Sequence, residues 1–170
     1  MFFWFAGTAL VAMWFTFRDP AIDHRLIVVG ALLPDAIDVF AGHMWVAHTL
    51  LAPTVTLFAV MSITGGKRQA RRRYLAIPIG MFFHLVFDGA FQTTSVFWWP
   101  VNGAGFGDIA IPAFERPLWL TLAMEAGGLV CLLWAWSRFG LGSAERRAVF
   151  MRTGRIDRSL TNPEMRPPTC

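Results

Sequence analysis

Apolar residues fill this chain in five long runs, and polar residues are confined to the short stretches between them and to the end. The runs cover residues 2–17, 26–41, 44–64, 74–99 and 118–137. None shows the strict alternation of a half-buried strand, and their lengths approach the ~20 residues a helix needs to cross a bilayer, so each is read as a helix. The first run is a little short, has no basic segment before it and ends in no cleavage site, so it is read as a retained helix. Pro34, Asp35 and Asp38 interrupt the second run, and Gly65-Gly66 closes the third. A loop containing Gly and Pro spans 101–117, and beyond Gly140 the chain becomes polar and basic, ending in Pro167-Pro168. The fold expected is all-α: a polytopic membrane protein with a bundle of about five transmembrane helices over residues 1–140. Residues 141–170 form a basic cytoplasmic tail, with a short interfacial helix over 144–151 and the remainder disordered.

Composition agrees. Hydrophobic residues make up 55% of the chain and charged residues 15%, against roughly 25% charged in a soluble domain. The two cysteines, Cys131 and Cys170, make neither a disulfide framework nor a thiolate metal motif. The net charge of +4 suggests nucleic acid until its placement is considered. Arg18, Arg25, Lys67, Arg68, Arg71, Arg72, Arg73 and the arginines after the fifth run fall on one side of the expected helices, and only Arg116 falls on the other. That asymmetry places the N-terminus outside and the C-terminus in the cytoplasm of a cell membrane, and it explains the charge by topology and contact with anionic lipid, without nucleic acid. Trp4, Trp45, Trp98, Trp99 and Trp119 then lie at the outer interface, and Trp14, Trp134 and Trp136 at the inner one.

Against this apolar background the ionisable residues stand out. Each costs roughly 2.5–3.5 kcal/mol at membrane depth and needs a partner or a purpose. His84 and Asp88 are four apart and share a helix face. Asp35, Asp38, His43 and His48 form a second set at the outer end of the second run and the start of the third. Imidazole with carboxylate and without thiolate suits a divalent ion such as zinc, manganese or iron(II), with zinc the first expectation and manganese the alternative. His43 and His48 are five apart, about 140° round a helix, so both serve only if one precedes the helix, and Gly42 makes such a break credible. Glu125, in the middle of the fifth run, is a further candidate for a catalytic base, as is Asp38. His24 reads as a solvated interfacial residue. Passage of protons or ions, or a scaffold tied together by polar side chains, are the other uses open to the same residues.

The segments GALLPDAID, GHMWVAHTL and HLVFDGAFQTTSVFWWP resemble, in order and spacing, the YdjM-like family of membrane-bound metal-dependent hydrolases. That family carries a Pro-Asp element, then His-x4-His, then His-x3-Asp followed by Trp-Pro. Here the matching positions are Pro34, Asp35 and Asp38, then His43 and His48, then His84, Asp88, Trp99 and Pro100. Residues 2–17 lack the histidine common in the family's first helix, and the acidic element reads Pro-Asp-x-x-Asp, where the family has Pro-Asp-x-Asp. The resemblance implies a hydrolase whose metal is held by Asp35, Asp38, His43, His48, His84 and Asp88. A site at that depth would act on an amphiphilic substrate, a phosphoester or other ester of a membrane lipid.

Overall fold

The computed structural model describes residues 1–103, 105, 106, 109, 111 and 115–161. Positions 104, 107, 108, 110 and 112–114 of the expected loop, and 162–170 of the tail with Cys170 and Pro167-Pro168, lie outside the described residues. The described chain is all-α. Its helices are α1 (Phe2–Thr16), α2 (His24–Asp38), α3 (Leu51–Ile63), α4 (Arg68–Tyr74), α5 (Ala76–Asp88), α6 (Thr94–Phe97), α7 (Leu118–Arg138) and α8 (Ala144–Thr153).

Two of the expected runs break where local chemistry overrides apolarity. Residues 44–50 do not open the third helix. The Asp38 carboxylate takes the Trp45 and Ala47 N–H groups at 2.7 and 3.2 Å, and the chain turns round it into a short 3₁₀ segment, Val46–His48, before α3 begins. The fourth run stops at Asp88, because Gly89 adopts the left-handed conformation (φ 75°) that ends α5. Its remaining apolar residues cover the end of the bundle, where Ala90 and Val96 pack with Met44, Leu85 and Ile111 in a small second core. The basic turn is itself helical, as α4. Among the described residues only α7, with 21 residues and a mean hydropathy of 1.7 over its best window, is long and apolar enough to cross a membrane by itself. Helices α1 and α3 are apolar but have 15 and 13 residues, a rise of about 20–23 Å.

Two close helix contacts organise the rest. Glu125 of α7 meets residues 2–4 of α1 at one end, and Trp134 meets Trp14 toward the other, so α1 and α7 run side by side in one direction. They touch backbone to backbone at Gly7 and Gly128, where a Cβ on Gly128 would lie 2.2 Å from Phe3 C and Trp4 N. Helices α2 and α5 touch in the same way: a Cβ on Gly30 would lie 2.2 Å from the Ile77 carbonyl, and one on Gly80 2.3 Å from that of Ile27. Small residues at such crossings let helices approach closely in apolar surroundings. The main core, with Phe5, Met13, Ile27, Ala31, Ala135 and Phe139, fills the space between these pairs.

At the opposite end the tail folds back on the bundle. Gly154 accepts from the His24 N–H at 2.8 Å, Ile156 N–H donates to Pro20 at 3.2 Å, and Arg25 donates to the Met151 carbonyl at 2.6 Å. Residues 154–161 are thus packed, not free, because Ile156 finds an apolar site in the main core. His24 is correspondingly buried, 1% exposed, with Nδ1 donating to the Ile22 and Gly154 carbonyls, which corrects its reading as a solvated residue. Its neighbour Asp23 caps α2. Burial pushes the Asp23 carboxyl up, but the hydrogen bonds and charge of Arg25 and the charge of Arg73 outweigh it and hold the group below its ordinary range.

The Gly127-Gly128 pair tests the backbone contact. Gly128→Ala must push α1 away from α7, an overpacking cost of about 1–3 kcal/mol, and should lower Tm by about 3–10 °C. Gly127→Ala meets only the Trp4 ring at 3.7 Å and should raise stability by about 0.5–1 kcal/mol through helix propensity. Thermal unfolding of the two purified variants checks the opposite signs, and equal effects would refute the contact.

Candidate metal centre

Four acceptor atoms from three parts of the chain converge at one end of the α2–α5 pair. Helix α2 supplies Asp35 one turn beyond Ala31, the 3₁₀ segment supplies His48, and α5 supplies His84 and Asp88 one turn apart. His48 Nε2 and His84 Nε2 face each other at 3.3 Å. Asp35 Oδ1 lies 3.4 Å from the first and 3.5 Å from the second, and Asp88 Oδ2 lies 3.8 Å from His48 Nε2. The side chains of His48, His84 and Asp88 are fully buried, whereas that of Asp35 is 19% exposed.

The other ring nitrogens set the protonation. His84 Nδ1 is 2.7 Å from the Ala31 carbonyl, which can only accept, so Nδ1 carries the hydrogen and Nε2 presents a lone pair. His48 Nδ1 is 2.6 Å from Asp38 Oδ2 and is assigned the same way. This carboxylate–histidine arrangement is the usual outer support of a metal-bound imidazole. Phe5 of α1 lies against the His84 ring, centroids 4.0 Å apart, and fixes its plane.

Two lone pairs therefore face one another, and Asp35 Oδ1 and Asp88 Oδ2 are buried with no hydrogen-bond partner among the described residues. Such orphaned atoms are costly unless a cation satisfies them. A single proton between the nitrogens would leave the carboxylates at 3.4–3.8 Å, beyond the 2.7–3.2 Å of ordinary N–H···O bonds. A tetrahedral ion with N and O ligands at 2.0–2.2 Å needs ligand–ligand separations of about 3.3–3.6 Å. Asp35, His48 and His84 can therefore hold a metal ion, and Asp88 Oδ2 stands beside them, 3.8 Å from His48 Nε2.

The residues expected from the sequence divide into three groups. Asp35, His48, His84 and Asp88 come together. Asp38 is adjacent, but its oxygens accept from Trp45 N–H, Ala47 N–H and His48 Nδ1, so it positions His48, and it lies outside the Asp35, His48 and His84 group. His43 and Glu125 lie elsewhere. His43 sits half-buried in the turn after α2, outside the converging atoms. The Glu125 carboxylate accepts from the N–H groups of Phe2, Phe3 and Trp4 at 2.7, 2.7 and 3.2 Å, capping the open N-terminus of α1. One neighbour was not anticipated as part of the site. Arg116, from just before α7, donates through Nη2 to the Asp88 main-chain carbonyl at 2.7 Å and to Asp88 Oδ1 at 3.1 Å. Its isolation from every other basic residue in the charge pattern was the available signal. Comparison of the chain with protein-family models, curated proteins and solved structures finds no match.

Removing each support should have a distinct effect. Asp38→Asn should weaken divalent-metal affinity 10–100-fold, as loss of a histidine's carboxylate support does elsewhere. Glu125→Gln leaves one amide unpaired and should cost about 1–2 kcal/mol of stability with metal affinity unchanged. Metal titration and thermal unfolding of both proteins separate the roles. Weakened metal binding in Glu125→Gln would contradict the capping assignment.

Proposed function

We propose that the chain is a multi-pass helical membrane protein that holds zinc, or alternatively manganese, between Asp35, His48, His84 and Asp88. It uses the ion to hydrolyse a phosphoester or ester of a lipid-like, amphiphilic substrate. The observation that carries this reading is the pair of facing Nε2 lone pairs with two orphaned carboxylate oxygens beside them. The YdjM-like resemblance stated above adds the hydrolytic reaction class.

The membrane setting is supported by surface and charge. Large apolar side chains lie exposed along α3 (Val55, Phe58, Ile63) and α7 (Leu118, Leu122, Val130, Leu133), a surface of the kind lipid covers. Arg25, Arg72 and Arg73, paired with Asp23 and Asp19, gather with the tail at the end of the bundle remote from the metal group. Positive charge at one end fits a cytoplasmic face there, with the metal centre toward the outer one.

Zinc held by these residues would take a water as a further ligand, lower its pKa toward ~7 and polarise the scissile group. The residues do the rest. His48 and His84 are locked through their Nδ1 atoms, so their Nε2 atoms do not drift. Phe5 and the small core around Leu85 and Val96 keep bulk water from the buried side. Asp35 turns Oδ1 toward the histidines while its side chain reaches the exposed edge, so its second oxygen is the carboxylate oxygen placed to take a proton from water. Asp38 and Glu125, expected for that task, are fully engaged.

Purified protein in mixed phospholipid micelles should release phosphate or fatty acid, lose the activity on chelation and regain it with zinc. His84→Ala should reduce the rate at least 100-fold. Undiminished release by His84→Ala would sink the proposal, as would no release from any phospholipid by zinc-loaded wild type.

A further inference from the structure

Arg116 is the basic residue that the charge pattern leaves on the side of the metal group, and the fold brings it against a metal-site carboxylate. We propose that Arg116 is the phosphate-recognition residue of this site, and that the substrate is a phosphate ester and not a carboxylic ester. The proposal rests on the metal-centre reading given above.

Three observations support it. The first is unspent donors. A guanidinium has five N–H groups, and Arg116 commits Nη2 to Asp88, while Nη1 meets only the Met1 sulfur at 3.8 Å. Sulfur is a weak acceptor, and Nε has no acceptor among the described residues. A guanidinium fork with donors to spare matches the oxygen pair of a phosphate or a carboxylate, and a neutral carboxylic ester offers no such anion. The second is position. Arg116 is held on Asp88 Oδ1, and the other oxygen of the same carboxylate faces His48 Nε2 at 3.8 Å. The guanidinium is thus one carboxylate's width from the ligand group, and its side chain is 18% exposed, at the edge of the buried cluster and open to a ligand. The third is charge. Asp35, Asp38 and Asp88 outweigh a divalent ion by one negative charge when the histidines are neutral, and an anionic substrate would be repelled. Arg116 cancels that excess. A neutral carboxylic ester would not need the correction, whereas a phosphate ester would.

Inorganic phosphate is the probe, titrated by calorimetry into the zinc-loaded full-length protein. Wild type should bind phosphate at least 10-fold more tightly than acetate. Arg116→Gln should keep zinc but bind phosphate at least 10-fold more weakly, with Arg116→Lys in between, because a lysine restores the charge without the fork. Phosphate affinity equal in Arg116→Gln and wild type would overturn the proposal, as would a wild-type preference for acetate. Loss of zinc from Arg116→Gln would also overturn it, showing that Arg116 serves only to hold Asp88. Failure of the wild type to take up zinc at all would instead remove the metal-centre reading, so the two failures are distinct.

Discussion

His48 Nε2 and His84 Nε2 face each other at 3.3 Å with the buried Asp35 Oδ1 beside them, a group that could hold a metal ion. Much of the fold maintains that confrontation. The Gly30–Gly80 crossing brings α2 and α5 close enough for His84 Nδ1 to reach the Ala31 carbonyl. Asp38 bends the chain after α2 so that His48 returns over the same spot. Glu125 anchors the start of α1 against α7, which leaves Phe5 lying on the His84 ring. Each device is local, and together they fix one point in space from three separate parts of the chain.

Such a cluster is expensive for the apoprotein. Buried carboxylates without partners and imidazoles with opposed lone pairs raise the energy of the folded state. A divalent ion held by Asp35, His48 and His84 would reverse the sign, because its binding energy would be coupled to folding. Arg116 holds Asp88 Oδ1, while Asp88 Oδ2 has no hydrogen-bond partner among the described residues. The acceptor cluster and Arg116 lie at one end of the bundle, and Asp23, His24, Arg25, Arg73 and the docked tail at the other.

The helices were largely legible because apolar runs without alternation admit little else: α1, α2 and α7 fall within three residues of the runs at 2–17, 26–41 and 118–137 at both ends. The breaks at 44–50 and after Asp88 were not legible, because they depend on a side-chain carboxylate capturing backbone N–H groups and on a left-handed glycine. Of the candidate ligands, Asp35, His48, His84 and Asp88, which come together in the fold, stood out by their spacing in apolar runs. The roles of Asp38 and Glu125 were not, since a carboxylate that orients or caps has the same sequence signature as one that ligates or takes a proton. His24 was misread for a related reason: the segment that buries it, around Gly154 and Ile156, lies more than a hundred residues away in sequence.

The most direct test of the central claim is X-ray absorption at the metal edge of protein purified without chelators and loaded with one equivalent of zinc. The account predicts four light-atom ligands at about 2.0–2.2 Å with the multiple-scattering signature of two imidazoles, falling to one in His84→Ala. A spectrum of fully hydrated zinc, or one showing no imidazole, would contradict it.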